Sequence, residues 1–195
     1  TYIDKNVKIG RDTIIYPNCH IKGNSIIGED CIIRENTTIE DSHIEDHVTI
    51  KSSTILSSKV GARTTIGPYA YLRPKSVLGE DVKIGDFVEV KNAEIGNGSK
   101  ASHLSYIGDA VVGKNVNIGC GVVFVNYDGK NKFKSIVEDN AFIGSNSNLV
   151  APVTVKEGGY IATGSTVTVD VPEGALCVAR AREVIKEGWR TKKGL

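Results

Sequence analysis

Aliphatic residues recur every six positions through most of the chain. The spacing holds over three runs, which consist of Ile3, Ile9, Ile15, Ile21, Ile27, Ile33 and Ile39; Ile66, Leu72, Leu78, Ile84 and Val90; and Val137, Ile143, Leu149, Val155, Ile161 and Val167. Between these runs the spacing shortens by one residue in places, as from Ile39 to Ile44. A period of six matches neither the repeat of an α-helix nor that of a simple β-strand.

This period predicts short strands that are separated by a corner every six residues. Glycine and asparagine supply the backbone angles that tight corners need, and β-branched residues suit the strands. Three faces then close one coil of about 18 residues, and successive coils stack at about 4.8 Å. We therefore predict an all-β solenoid, a parallel β-helix with inward-pointing aliphatic columns. A β-sandwich agrees less well, because its turns recur every ~8–12 residues.

Two segments break the period and set the predicted boundaries. The sequence VNYDGKNKFKS lies in an insertion, and we predict a protruding loop at residues 125–136. Loops on a rigid scaffold commonly build functional sites. Residues 1–175 are then the solenoid, and residues 176–195 are a C-terminal arm with a short helix at 179–186.

Composition narrows the class of protein. The chain has 195 residues and a net charge of +1, so no basic field favours nucleic acid. No apolar run approaches ~20 residues, so no membrane span is expected. The four cysteines, which are not in Cys-x-x-Cys spacing, and the absence of a secretion leader favour a reducing cytoplasm. The chain begins at Thr1 and has no methionine, so we expect a piece of a longer protein.

Two basic residues are predicted to stack. Arg73 and Lys91 are 18 residues apart with no slip between them, so they lie on adjacent coils about 5 Å apart. Like charges at that distance repel, and a bound phosphate would relieve the repulsion. The alternative is a pair of solvated surface side chains.

The coil count also gathers polar residues around two adjacent columns. It places Cys120 directly above His103, and Tyr106 and Asn126 beside the column of Leu72, Val90, Ile107 and Phe124. Asn117 borders the adjoining column. A single histidine in a repeat is more often structural than catalytic, so these positions alone do not establish a reaction.

The hexad pattern resembles the hexapeptide-repeat acyltransferases, which are left-handed parallel β-helices that assemble as trimers. From Gly67 the motifs IGPYAYLRP, SKASHLSYIGD, NVNIGCG, VNYDGKNKFKS, GSNSNLVAPVTV and EGWR follow in order. Together they look like the C-terminal domain of the bifunctional bacterial glucosamine-1-phosphate acetyltransferase and N-acetylglucosamine-1-phosphate uridyltransferase family. That family makes UDP-N-acetylglucosamine for cell walls. Its uridyltransferase domain, which uses magnesium, is absent from this sequence.

The resemblance implies a role for each matching residue. His103 is the general base that accepts a proton as the sugar amine attacks acetyl-CoA. The residues that bind glucosamine 1-phosphate are Arg73, Lys91, Tyr106, Asn117 and Lys132. The residues that contact acetyl-CoA are Cys120, Asn126, Tyr127, Ser145, Thr163 and Arg180. No metal is needed for this step, and Thr163 departs from the alanine that is common in the family.

Two further expectations follow. Glu89 and Asp109 are interpreted as solvated corner residues. A homotrimer with active sites shared between chains is expected, in which His103 and Arg180 reach one site from different chains.

Three rival interpretations remain open from the sequence. A zinc enzyme on the same scaffold would use histidines from the set of His20, His43, His47 and His103. A non-catalytic module would use the hexads only to trimerise a partner domain. An acetyltransferase for another amine, such as serine or a sugar nucleotide, would keep the same scaffold and donor.

Overall fold

The computed structural model describes residues 1–193, and the strands within them form a left-handed parallel β-helix as predicted. The strands of the N-terminal coils are β1 (Tyr2–Ile3), β2 (Lys8–Ile9), β3 (Ile14–Ile15), β4 (His20–Lys22), β5 (Ile26–Ile27), β6 (Ile32–Ile33), β7 (Thr38–Glu40), β8 (His43–Ile44), β9 (Thr49–Ile50), β10 (Thr54–Leu56), β11 (Lys59–Val60) and β12 (Thr65–Ile66). The central strands are β13 (Tyr71–Leu72), β14 (Val77–Leu78), β15 (Lys83–Asp86), β16 (Glu89–Lys91), β17 (Glu94–Ile95), β18 (Lys100–His103), β19 (Tyr106–Gly108), β20 (Ala110–Val112), β21 (Asn117–Ile118) and β22 (Val123–Val125). The C-terminal elements are β23 (Ser135–Val137), β24 (Phe142–Ile143), β25 (Asn148–Val150), β26 (Val153–Val155), β27 (Tyr160–Ile161), β28 (Thr166–Val167), β29 (Leu176–Cys177) and the helix α1 (Trp189–Lys192).

Up to β28, every third strand joins the same sheet, so the solenoid has three flat faces. Sheet A runs from β1 through β4 to β28, sheet B from β2 to β26, and sheet C from β3 to β29. All strand pairs within the sheets are parallel, with a register shift of one coil. No helix in residues 1–193 is long and apolar enough to cross a lipid bilayer.

The predicted inward columns form the core. Leu72, Val90, Ile107 and Phe124 succeed one another in sheet A, and each is fully buried. Each coil therefore covers its apolar surface with the coils before and after it.

The corners use left-handed backbone conformations. Most of the non-glycine residues there are Asn or Asp, which tolerate positive φ well. The corner between sheets C and A is different, because Tyr69, Phe87 and Leu104 adopt φ values of 58°, 57° and 40° on successive coils. All three side chains are exposed, and the rings of Tyr69 and Phe87 stack with centroids 5.5 Å apart. This corner therefore presents bulky apolar groups to solvent.

The insertion in the repeat is a short hairpin. It follows β22 and ends before β23, which places it at residues 126–134, slightly inside the predicted 125–136. Tyr127 and Lys132 form an antiparallel bridge, and the amide of Phe133 donates to the carbonyl of Asn126 at 2.9 Å. The Asp128 carboxylate caps the turn by accepting the amides of Lys130 and Asn131.

The C-terminal arm differs from the prediction of a helix at 179–186, which is wrong. That segment is irregular and exposed, and the helix is the single turn Trp189–Lys192. Val184 and Ile185 extend into solvent here and are more than 80% exposed, at 81% and 85%.

Candidate active site

A basic cleft of about 380 Å³ lies at the corner where sheet A turns into sheet B. Its lining residues, which define it below, are Arg73, Pro74, Lys75, Lys91, Asn92, Asp109 and Lys132. The register of β13 on β16 stacks Arg73 directly on Lys91, as the repeat predicted. Three of the residues expected to bind a sugar phosphate are thus adjacent.

Carboxylates neutralise part of this charge. Arg73 Nη1 donates to Glu89 at 2.9 Å, and Lys91 Nζ donates to Asp109 at 3.1 Å. The interpretation as a solvated corner residue is therefore wrong for Asp109, whereas Glu89 is paired but its side chain is still 37% exposed. The next coil covers Asp109, which is 8% exposed, so its carboxylate must take protein partners instead of water.

Asp109 organises the floor of the cleft. Its carboxylate accepts hydrogen bonds from Lys91, Asn92 and Asn126. Burial alone would raise the pKa of Asp109, but these donors outweigh that effect and keep its pKa below the ordinary value. The carboxylate thus stays charged at neutral pH and holds Lys91 in place.

The hairpin delivers a third cation to the cleft. Lys132 lies close to Lys91, and the Lys91 ammonium lowers the pKa of Lys132. Lys91 has the opposite shift, since burial would lower its pKa but neighbouring groups that include Asp109 raise it. Two neighbouring ammonium groups favour a bound anion, because its negative charge offsets their repulsion.

Tyr106 lies across the strand toward the cleft. A side chain on Gly108 would come within 2.3 Å of the Tyr106 hydroxyl, so the glycine leaves room for the ring. The amide of Asn126 approaches the same hydroxyl at 3.4 Å. The side chain of Asn126, predicted to contact acetyl-CoA, is thus committed to Asp109 and Tyr106.

His103 lies at the opposite edge of sheet A, at the corner with sheet C. The buried hydroxyl of Ser105 donates to the His103 carbonyl at 2.9 Å and fixes the turn. The ring is largely exposed, and its Nδ1 atom lies 2.7 Å from Oδ1 of Asp86 on the preceding coil.

A straight row of side chains continues from His103 along this edge. The register of sheet C aligns Asp86, His103, Cys120, Ser145 and Thr163 on five successive coils, and we call this row the His103 edge. The alignment of Cys120 above His103 agrees with the repeat count.

Glycines let successive coils approach closely beside the His103 edge. A side chain on Gly119 or Gly144 would come within 2.6 Å of the backbone nitrogen of Ser145 or Thr163, respectively. Arg180 lies at the far end of the row, with its Cδ atom 3.7 Å from where a Cβ on Gly164 would stand. The row spans about four coils, or roughly 19 Å.

Two predicted site residues stand apart from both groups. Asn117 lies on the outer face of sheet C, in register with Lys100 and Phe142. Tyr127 lies on the exposed hairpin, and its hydroxyl donates to the carbonyl of Gly129 at 2.6 Å. Within one chain, neither residue contacts the basic cleft or His103 through a hydrogen bond described for residues 1–193.

Asp86 and Gly108 were missed by reading the sequence. Asp86 is 17 residues before His103, which is one coil with one slip, so the spacing rule that aligned Cys120 would also have found it. Gly108 had no such signal, since its importance depends on the direction in which the Tyr106 ring points.

The histidines of the zinc alternative are scattered. His20 and His43 lie on sheets A and B, and His47 lies at a corner beside Asp30, with 3.8 Å between Nδ1 and Oδ2. No group of three or more His, Cys, Asp or Glu side chains in residues 1–193 is arranged to hold a metal ion.

Curated bacterial proteins share high sequence identity with this chain over nearly its whole length. The bifunctional protein GlmU of Clostridioides difficile (strain 630) is 73% identical over 193 residues, which is 99% of this chain and 42% of that protein. The chain is a homologue of part of GlmU. The bifunctional protein GlmU of Alkaliphilus oremlandii (strain OhILAs) is 70% identical over 194 residues, or 100% of this chain and 43% of that protein. The chain therefore spans less than half the length of these GlmU relatives.

Other comparisons concern the fold. A family model described as the EIF2B subunit epsilon LbH domain matches residues 1–90. Among solved structures, the UDP-N-acetylglucosamine acyltransferase of Arabidopsis superimposes with a TM-score of 0.65 at 18% identity, covering 90% of this chain and 68% of that one. The acyltransferase of the same description from Francisella novicida gives 0.62 at 19% identity, covering 91% and 64%. These structures share the β-helix fold with this chain.

Proposed function

We propose that this chain transfers the acetyl group of acetyl-CoA to the amine of glucosamine 1-phosphate. The product, N-acetylglucosamine 1-phosphate, is a precursor of UDP-N-acetylglucosamine. The 73% sequence identity with GlmU of Clostridioides difficile supports the proposal. The observation that carries it is that a basic cleft and an exposed histidine border the two edges of sheet A, one suited to a phosphate and the other to an amine.

In this reaction the amine nitrogen attacks the thioester carbonyl, so a C–N bond forms and the C–S bond breaks. His103 Nε2 accepts the proton that the amine loses and returns it to the departing sulfur. No net proton is released. An imidazole titrates near neutrality, which suits a group that must both accept and donate at cellular pH.

The His103 edge is suited to the acyl donor. Acetyl-CoA is an elongated molecule with the thioester at one end and phosphates at the other. The row from His103 to Arg180, roughly 19 Å long, can accommodate its arm. Arg180 would then pair with a phosphate.

The acceptor requires a neighbouring chain. The phosphate and the amine of glucosamine 1-phosphate are on adjacent ring carbons, so the groups that bind them must be close together. Arg73, however, lies five residues along its coil beyond the edge that carries His103, on the far side of sheet A. We infer that His103 of one chain faces the basic cleft of another in a homotrimer.

Apolar surfaces support this assembly. Tyr69, Phe87 and Leu104 are exposed beside His103, and the C-terminal arm exposes Val184 and Ile185. Exposed apolar clusters of this kind are typical of subunit contacts. Asn117 and Tyr127, which stand apart in one chain, would complete the site across the same boundary.

The parent protein would carry a second activity. We propose that residues outside this sequence uridylate the product with magnesium, as the family resemblance implies, and that both reactions take place in the cytoplasm. We propose that acetyl transfer by the present chain needs no metal. A non-catalytic trimerisation role would leave the basic cleft and the Asp86–His103 contact without a purpose.

An acceptor panel tests the proposed function. Free coenzyme A is measured with a thiol reagent in the presence of a chelator, with glucosamine 1-phosphate, glucosamine or serine as the acceptor. We expect release that depends strongly on glucosamine 1-phosphate. Release without preference for that sugar would overturn the assignment, and a preference for serine would favour the rival acetyltransferase.

A further inference from the structure

Asp86 contacts the proposed base but not the proposed substrates. Its Oδ1 atom lies 2.7 Å from Nδ1 of His103, and the other ring nitrogen is directed away from this contact. The two residues occupy the same register position on adjacent coils, because β15 pairs with β18 through Asp86 and His103. The contact is therefore built by the strand register and not by chance proximity of two long side chains.

The surrounding backbone holds both residues close. A side chain on Gly85 would meet the carbonyl oxygen of Ser102 at 1.8 Å, so only glycine lets the two strands approach here. On the other side, Ser105 donates to the carbonyls of His103 and Gly119 at 2.9 and 3.1 Å. The backbone before Asp86 and the backbone after His103 are thus both fixed.

The identity of the protonated nitrogen matters for the reaction. A neutral imidazole carries one proton, and the hydrogen bond made by one nitrogen decides which nitrogen carries it. An isolated histidine in water prefers the proton on Nε2, which would leave that atom unable to accept another. A carboxylate accepts hydrogen bonds and donates none, so it selects the tautomer with the proton on Nδ1.

We propose that Asp86 is a positioning residue that holds His103 as the Nδ1–H tautomer and leaves Nε2 as the basic nitrogen. The inference rests on the proposed acetyl transfer for its kinetic consequence, but the tautomer itself is a property of the free protein. When Nε2 takes the amine proton, the Asp86 carboxylate also faces the resulting positive ring.

The Asp86 carboxylate is ionised at neutral pH. The hydrogen bond from His103 is the main cause that lowers the pKa of Asp86 below its ordinary value of 3.8. Because this pKa is depressed, the contact is fully present above the ordinary value and is lost only as the pH falls through the lowered one. Neutral solutions therefore contain the carboxylate throughout.

The test combines nitrogen NMR of the imidazole with kinetics, on Asp86→Ala and Asp86→Asn. In the unmutated protein we expect the His103 signals of the Nδ1–H tautomer, and in Asp86→Ala a shift of the population toward Nε2–H. With glucosamine 1-phosphate, kcat should fall about 10- to 100-fold in Asp86→Ala, a usual cost for losing a group that orients a reactive one, with little change in KM. Asp86→Asn keeps an acceptor oxygen without the charge and should restore part of the loss.

Asp30→Ala is the matched control. Asp30 also lies beside a histidine, His47, but at 3.8 Å and at another corner, so this variant should change neither the His103 signals nor kcat. Circular dichroism and oligomer size verify folding, and Asp86→Asn retains the side-chain shape if Asp86→Ala does not fold. Unchanged His103 signals and kcat in folded Asp86 variants would overturn the proposal. If the tautomer shifts in Asp86→Ala but the unmutated protein transfers no acetyl group, the positioning role of Asp86 stands and only the proposed function is overturned.

Discussion

At the scale of single residues, ion pairs within the chain already hold the charged side chains of the site in position. Arg73 and Lys91 each hold a carboxylate, and His103 holds Asp86. These pairs fix the side chains before a substrate arrives, which reduces the entropy that binding must otherwise overcome. The cleft keeps positive character even so, because Lys75 and Lys132 have no carboxylate within salt-bridge distance in the described residues.

Removal of the proposed base tests the chemistry directly. His103→Ala should lower kcat by roughly 10²–10⁴-fold, the usual contribution of a general base, with little change in KM. The exposed ring makes no core contact, so the fold should persist. His43→Ala, which removes another exposed imidazole from sheet B, is the control and should retain normal kcat. Near-normal kcat in His103→Ala at saturating substrate would remove His103 from the mechanism.

Arg73 tests recognition of the phosphate. Arg73→Ala should weaken binding of glucosamine 1-phosphate by about 1.5–3 kcal/mol, because a charge-assisted contact is lost. Glucosamine, which lacks the phosphate, should be affected much less. The control is Arg63→Ala, since Arg63 also pairs with carboxylates, Glu80 and Asp81, but lies outside the cleft. Equal losses for both sugars in Arg73→Ala would show that this residue does not bind the phosphate.

At the scale of elements, the hairpin at residues 126–134 converts a flat face into a cleft. Asn126, the first residue of the hairpin, donates a hydrogen bond to Asp109. The Tyr127–Lys132 bridge then brings Lys132 back to the cleft that Lys91 also lines. The solenoid alone provides stacked side chains on a plane. The hairpin adds a cation from a second direction, which a phosphate with several oxygens can use.

The lowered pKa of Lys132 predicts a pH dependence of binding. An anion favours the protonated ammonium, so its affinity should fall as the pH rises through that lowered pKa, before the ordinary lysine value of about 10.4. Calorimetry with N-acetylglucosamine 1-phosphate avoids titration of a substrate amine. Lys132→Arg, whose side chain stays charged, should abolish the decline, and Lys130→Arg on the same hairpin should retain it. A decline that persists in Lys132→Arg must come from another group.

At the scale of the whole molecule, the two halves of the proposed site lie at opposite edges of one face. A single flat face cannot bring Arg73 and His103 to adjacent ring carbons, whereas two chains packed side by side can. The sequence predicted that His103 and Arg180 come from different chains. Both residues lie along the His103 edge of one chain, and one extended acetyl-CoA molecule can span the distance between them. The geometry therefore does not require that they come from different chains.

Mixing of inactive variants tests the shared site. Inactive His103→Ala and Arg73→Ala chains are co-refolded, with mixed trimers verified by mass spectrometry. If the two residues meet across a boundary, random mixing leaves about one site in four without a lesion, and activity should return toward a quarter of the unmutated value. Mixed trimers that remain as inactive as the separate variants would place both residues in the same chain.

A second mixture addresses the donor. His103→Ala with Arg180→Ala should show no such recovery if one chain supplies the whole His103 edge. Recovery in this mixture would instead support the pairing that the sequence suggested. Residual activity of Arg180→Ala alone is subtracted in both comparisons.

The sequence by itself determined the scaffold and its register. A six-residue period admits few folds, and each inward aliphatic must cover the one below it, so spacing alone stacks Arg73 on Lys91 and Cys120 on His103. The insertion was equally plain, because it interrupts that period. Family motifs supplied the expected roles of these residues.

The partners that each polar side chain finds for its hydrogen bonds became clear only in the tertiary structure. Asp109 looked like a solvated corner, yet the neighbouring coil buries it, and a buried carboxylate must find donors. The Tyr106 ring occupies space that Gly108 leaves open, and the arm at 179–186 is irregular and packs little of its surface against the described part of the chain. These outcomes depend on side-chain direction and on the burial of each group between coils, neither of which a one-dimensional period encodes.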